Sequence, residues 1–130
     1  MIVIDASALV AMLLDEPERA TFFKILGRAQ VSLSPVGYWE AAIKLEQQRG
    51  LRGVAELDAL LSDFDIHIVA ADSETSRLAV EAQRLFGKRT PTKLNMGDCF
   101  AYALAKTLNA PLLFKGDDFT QTDITPALPA

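Results

Sequence analysis

The stretch Met1-Ile2-Val3-Ile4-Asp5-Ala6-Ser7 sets three consecutive β-branched residues, without polar alternation, directly before a carboxylate. Such a run reads as a short strand buried on both faces, the pattern of a central strand in a parallel sheet. Ser7 and the helix-forming run Ala8 to Leu14 follow, so Asp5 falls at the strand's C-terminal edge. In open α/β sheets that edge is where ligands sit.

Outward from this stretch, strand and helix signals alternate. Val31 to Leu33, Ile66 to Val69 and Pro111 to Phe114 read as further short strands, and the last again runs into polar residues, Lys115, Gly116, Asp117 and Asp118. Pro17 suits the first turn of a second helix, whose buried side is Phe22, Phe23 and Leu26. Ser34-Pro35 is an N-cap followed by proline at the first helical position, opening a third helix that closes near Gly50. A fourth helix carries Leu57, Leu60 and Leu61. A fifth is capped by Asp72, buries Leu78, Ala79, Ala82, Leu85 and Phe86, and ends with Gly87 at C′. A sixth opens at Asn95. Strands alternating with helices imply right-handed crossovers and a parallel sheet covered on both faces.

The chain has 130 residues, half of them hydrophobic and 23% charged, which is enough for one domain with a single well-covered core. Only the last few residues, around the C-terminal prolines, are expected to stay out of the fold. A single cysteine, Cys99, and the absence of a leader-like start point to the cytoplasm. No apolar run approaches the roughly 20 residues that span a bilayer, so no membrane role is expected. The net charge of −4 gives no overall electrostatic support for a nucleic-acid partner, but convergent acids would bind cations and offset that charge locally.

Two acids fall where apolar residues belong. Glu40 shares the stripe of Val36 and Ile43, and Asp98 the face of Ala101, Tyr102 and Ala105. A rim position reaching water past Trp39 would also accommodate Glu40, and helix capping with Asn95 would also account for Asp98. If the first and last strands are neighbours at the sheet centre, Asp5 and Asp117 share an edge that Glu40 and Asp98 can reach. Four carboxylates at close range raise one another's pKa values, and hard cations such as Mg²⁺ or Mn²⁺ relieve the repulsion. That arrangement suits metal-assisted phosphodiester hydrolysis, which needs no side-chain nucleophile. The only histidine, His67, reads as a solvent-facing or edge residue, and Cys99 as a small buried one.

These residues resemble the PIN-domain ribonucleases, specifically the VapC toxins of type II toxin–antitoxin pairs, from Ile2 to about Asp123. The resemblance lies in Ile4-Asp5-Ala6-Ser7-Ala8, in Glu40, in Asn95-Met96-Gly97-Asp98-Cys99-Phe100-Ala101-Tyr102-Ala103, and in Leu112 to Phe119 with Thr122-Asp123-Ile124. It implies a PIN-like α/β fold over residues 1–130, and an endoribonuclease requiring Mg²⁺ or Mn²⁺. Asp5, Glu40 and Asp98 are then metal-site acids, oriented by Ser7. Asp117 is taken as the fourth by its place after the strand, with Asp118 adjacent and Asp123 a further acid able to approach. The resemblance also implies a homodimer held in check by a cognate antitoxin protein. Charge and position nominate Lys88, Arg89 and Lys93 as RNA contacts, with Lys44 and Arg49 as weaker ones.

Other classes fit less well. A receiver-like signalling module wants an acidic pair after the first strand, and a haloacid-dehalogenase-type phosphatase wants a second acid where Ser7 stands. A PIN nuclease of RNA maturation would carry the same acids, and a metal-binding module without turnover would be separated by assay.

Overall fold

Ile2 and Ile4 enter one apolar core and Val3, between them, enters another, so the first strand is buried from both sides as its unbroken apolar sequence predicts. The computed structural model describes residues 1–128. Ten elements follow in order: β1 (Ile2–Ile4), α1 (Ala6–Leu13), α2 (Arg19–Leu26), β2 (Val31–Leu33), α3 (Pro35–Arg49), α4 (Leu51–Asp63), β3 (His67–Ile68), α5 (Ser73–Phe86), α6 (Met96–Leu108) and β4 (Leu112–Leu113). The four strands form one sheet in the order β3-β2-β1-β4, and every pairing is parallel. On one face α1 to α4 bring Leu9, Phe22, Leu45 and Leu57 over Ile2 and Ile4. On the other, α5 and α6 bring Ala82, Ala103 and Leu104 over Val3. Each fully buried aliphatic side chain is worth about 1.5–3 kcal/mol against exposure.

Several sequence-based expectations are corrected. Helix α1 begins at Ala6, capped by Asp5, and ends where Asp15 turns left-handed at φ 59°. Pro17 therefore sits in the following turn instead of in the first turn of α2. Leu85, expected on the buried side of α5, is 55% exposed, because the helix buries Thr75, Ala79 and Ala82 and turns Leu85 outward. Gly87 does not adopt the left-handed C′ conformation: its φ is −76°, and it is required because a Cβ there would meet the Gln83 carbonyl oxygen at 2.3 Å. The expected strand from Ile66 to Val69 narrows to His67–Ile68, and His67 is exposed on the edge strand as its sequence suggests.

Strands β1 and β4 are neighbours, but β4 lies at the sheet's end. Its outer edge is covered by the C-terminal segment: Leu112 N–H donates to Thr125 O at 2.9 Å, and Ala127 N–H donates to Leu112 O at 2.8 Å. A covered edge does not template further strands. The expectation of an unfolded terminus is thus corrected as far as Leu128, while Pro129 and Ala130 lie outside the described residues. Among the described residues no helix is long and apolar enough to cross a membrane.

Candidate active site

From β1 the chain moves to β2 and then β3 on one side, and it returns on the other side through β4. The C-terminal ends of β1 and β4 therefore flank a switch point, where diverging crossovers leave a crevice. A cleft of about 640 Å³ opens there. Asp5 reaches it from the end of β1, Ser7 from the first turn of α1, Glu40 and Lys44 from α3, Asp98 from α6, and Asp118 from the turn after β4.

Asp5 is 3% exposed and caps α1. Its Oδ2 accepts the Ser7 hydroxyl at 2.6 Å and the Ser7 backbone N–H at 3.0 Å. Ser7 Oγ in turn accepts the Lys115 backbone N–H at 3.0 Å, so one hydroxyl ties the end of β4 to the acid at the end of β1. Burial lifts the Asp5 carboxyl from 3.8 to about 6; the Ser7 hydrogen bonds pull it down, while Glu40 and Asp118 push it up.

Asp98 sits in a reciprocal capping box. Its N–H donates to Asn95 Oδ1 at 2.8 Å, and its Oδ2 accepts the Asn95 N–H at 3.0 Å. Both helix-end functions are met by one carboxylate oxygen and one amide, so the capping role and the cleft-facing role coexist. Its carboxyl also rises to about 6, first through burial, with the Asn95 bond and Lys88 lowering it and Asp5 and Asp118 raising it.

Glu40 stands one helical turn before Lys44. Burial and the Asp98 charge raise its pKa, and Lys44 opposes them. Its carboxylate packs on the backbone of α6: a Cβ at Gly97 would lie 2.6 Å from Glu40 Oε2 and 2.7 Å from Oε1. Gly97 is a site residue that the sequence reading passed over. Its signal was present in Gly97-Asp98, a glycine early in a helix that nothing in the helix itself requires.

The fourth acid facing the cleft is Asp118, not Asp117. Gly116 turns the chain at φ 96° three residues past the end of β4, and beyond it Asp118 lines the opening while Asp117 does not. Asp123 is elsewhere, accepting Tyr102 Oη at 2.7 Å and Lys106 Nζ at 2.8 Å, so it fastens the C-terminal segment to α6. Arg49 is also committed elsewhere, to Leu13 O at 3.2 Å and Glu56 at 3.2 Å. Lys93 is exposed in the α5–α6 loop, with φ 59°. Lys88 and Arg89 line a separate groove.

Cys99 is buried, and burial with the Asp98 charge pushes its thiol up, which removes it as a nucleophile. Among the described residues no three Asp, Glu, His or Cys side chains form a ready-made ligand cage for one ion. The donors are nevertheless all carboxylate oxygens, and two of them are held near a pKa of 6 by burial and mutual repulsion. That set fits Mg²⁺ or Mn²⁺, which take oxygen ligands; Mg²⁺ usually keeps several waters and binds through one or two carboxylates.

A short parallel sheet with acids gathered at its switch point defines the class, and the family model described as PIN domain matches residues 2–124. Ribonuclease VapC30 of Mycobacterium tuberculosis is 45% identical over 130 residues, covering 98% of this chain and 99% of that protein. The crystal structure of Mycobacterium tuberculosis VapC20, a sarcin-ricin loop cleaving toxin, superposes with a TM-score of 0.79 at 14% identity, covering 96% and 97% of the two chains. A toxin–antitoxin complex from Klebsiella pneumoniae gives a TM-score of 0.74 at 14% identity, covering 95% and 93%. The chain belongs to the PIN-domain family and, within it, to the VapC ribonucleases, endoribonuclease toxins of toxin–antitoxin pairs.

Proposed function

We propose that the protein hydrolyses RNA phosphodiester bonds with a divalent cation, Mg²⁺ or Mn²⁺, held by Asp5, Asp98, Glu40 and Asp118. The observation that carries this reading is one cleft at the sheet's switch point lined by four carboxylates from four separate elements. When bound, the cation lowers the pKa of the attacking water and neutralises charge on the phosphate.

The chain's own residues supply the rest. Ser7 holds Asp5 in one orientation and leaves Oδ1 for the cleft. The capping box does the same for Asp98. Glu40, with its raised pKa and its partial exposure, is the group suited to take the proton of the attacking water. Lys44, beside it on α3, meets the phosphate as a point charge.

The protein acts in the cytoplasm through its PIN domain, paired as a homodimer. The Klebsiella pneumoniae complex supports a cognate antitoxin as its partner. The test is cleavage of a mixed RNA pool by antitoxin-free protein with Mg²⁺, with EDTA, and by Asp5→Asn with Mg²⁺. Cleavage only by the unmodified protein with metal is expected; equal cleavage by Asp5→Asn would remove Asp5 from the site.

A further inference from the structure

The chain's net charge is −4, yet its cations are unevenly committed. Arg19, Arg49, Arg52, Lys106 and Lys115 are spent on ion pairs with nearby acids. No ion pair among the described residues engages Arg84, Lys88 or Arg89. These three line one groove of about 520 Å³, together with Val80, Gln83 and Thr90. Among the described residues no acid lines it.

The last turn of α5 and the loop after it build the groove. Arg84 complements the carbonyl end of that helix, but Lys88 and Arg89 lie beyond the helix, where the macrodipole does not account for them. The chain is tied back beneath them: Leu94 N–H donates to Phe86 O at 2.7 Å, and Thr90 Oγ1 donates to Gly87 O at 2.8 Å. The cations thus stand on a fixed turn. Unpaired cations held together in an acidic protein repel one another, and an anion relieves that cost. The loop that carries Lys88 and Arg89 runs on into Asn95 and Asp98, which line the cleft, and the Lys88 charge lowers the Asp98 carboxyl. Exposed Val80 adds apolar surface for a base or sugar.

We propose that this groove is a second RNA-binding site, which holds the phosphodiester backbone of single-stranded substrate flanking the scissile bond. The inference rests on the ribonuclease reading of the cleft. Cleavage position is then set in part by a segment that the acids never touch. RNA too short to reach the groove is cut poorly, and longer RNA gains from each phosphate it places there.

The experiment compares the full-length protein with an Arg84→Gln/Arg89→Gln variant, which spares Lys88 and so leaves Asp98's neighbours in place. Each is prepared with Asp5→Asn for binding of a long single-stranded RNA across a salt series, and without it for cleavage of long and short RNAs. We expect the slope of log binding constant against log salt to become shallower by about 1.4, for two lost phosphate contacts. The preference for long over short substrate should fall by tenfold or more. An unchanged slope with an unchanged length preference would overturn the proposal, as would weakened binding of an acidic antitoxin segment with RNA binding intact. Failure of the Asp5→Asn protein to bind RNA, together with no cleavage by the unmodified protein, would instead count against the ribonuclease reading beneath it.

Discussion

A methyl group on Gly97 would meet both oxygens of the Glu40 carboxylate at under 2.8 Å, so Glu40 would have to move. Alanine is otherwise about 1 kcal/mol better than glycine inside a helix, so Gly97→Ala should fold, with a melting temperature close to that of the parent. We expect its RNA cleavage to fall by about 100-fold, the cost of a misplaced reacting group. Parental cleavage rates would show that the position of Glu40 is unimportant. Asp5 gives a pH prediction. Its carboxyl titrates near 6 in the fold against 3.8 ordinarily, so the native protein binds more protons than the unfolded chain between those values. Metal-free stability should therefore fall as pH rises from about 4 to about 6 and stay low above that window. Asp5→Asn keeps an oxygen for the cap and removes the charge; near neutral pH it should raise metal-free stability by on the order of 1–3 kcal/mol. Chemical denaturation with EDTA present measures this, and a loss of stability would contradict it. Ion binding needs both Asp5 and Asp98 ionised, so the affinity for Mg²⁺ or Mn²⁺ should rise with pH through about 6. Ser7→Ala, by removing a hydrogen bond that lowers the Asp5 pKa, should move that midpoint upward.

At the scale of elements, the site depends on how two helices start and how one strand ends. Asn95 and Asp98 cap α6 reciprocally, and Asn95→Ala should cost about 1 kcal/mol of stability while freeing the Asp98 side chain to rotate. Thermal melting and cleavage rates read the two effects separately. The start of α6 was legible in the sequence, because Asn95-Met96-Gly97-Asp98 carries its cap within four residues; the start of α1 was not, since the helical run was read from Ala8 and Asp5 was not recognised as its cap. Nor was the end of β4. That strand has only two residues, and Gly116 turns the chain at φ 96°, so side-chain alternation cannot be carried through to Asp117 or Asp118. Gly97 escaped notice for a related reason, since what forbids its Cβ is a side chain on α3, far away in sequence. Asp123 likewise found partners 21 and 17 residues back along the chain, in Tyr102 and Lys106.

Over the whole molecule, the parallel sheet was readable because β1 is apolar throughout and strands alternate with helices. The sheet's outer limit was not, since β4 is covered by a C-terminal segment that carries no strand pattern of its own. The acidic total likewise concealed its distribution: carboxylates gather at the switch point, while unpaired cations gather in a separate groove. An acidic cluster that lowers metal-free stability should be relieved by the ion it binds, and stability is then linked to ion concentration. Thermal melting near neutral pH across a Mg²⁺ or Mn²⁺ titration is the most direct test, run on the parent protein, Asp5→Asn and Asp98→Asn. A melting temperature that climbs with ion concentration in the parent, and much less in either variant, is the expected result. An equal climb in all three would mean that the ion binds elsewhere and that these acids are not its site.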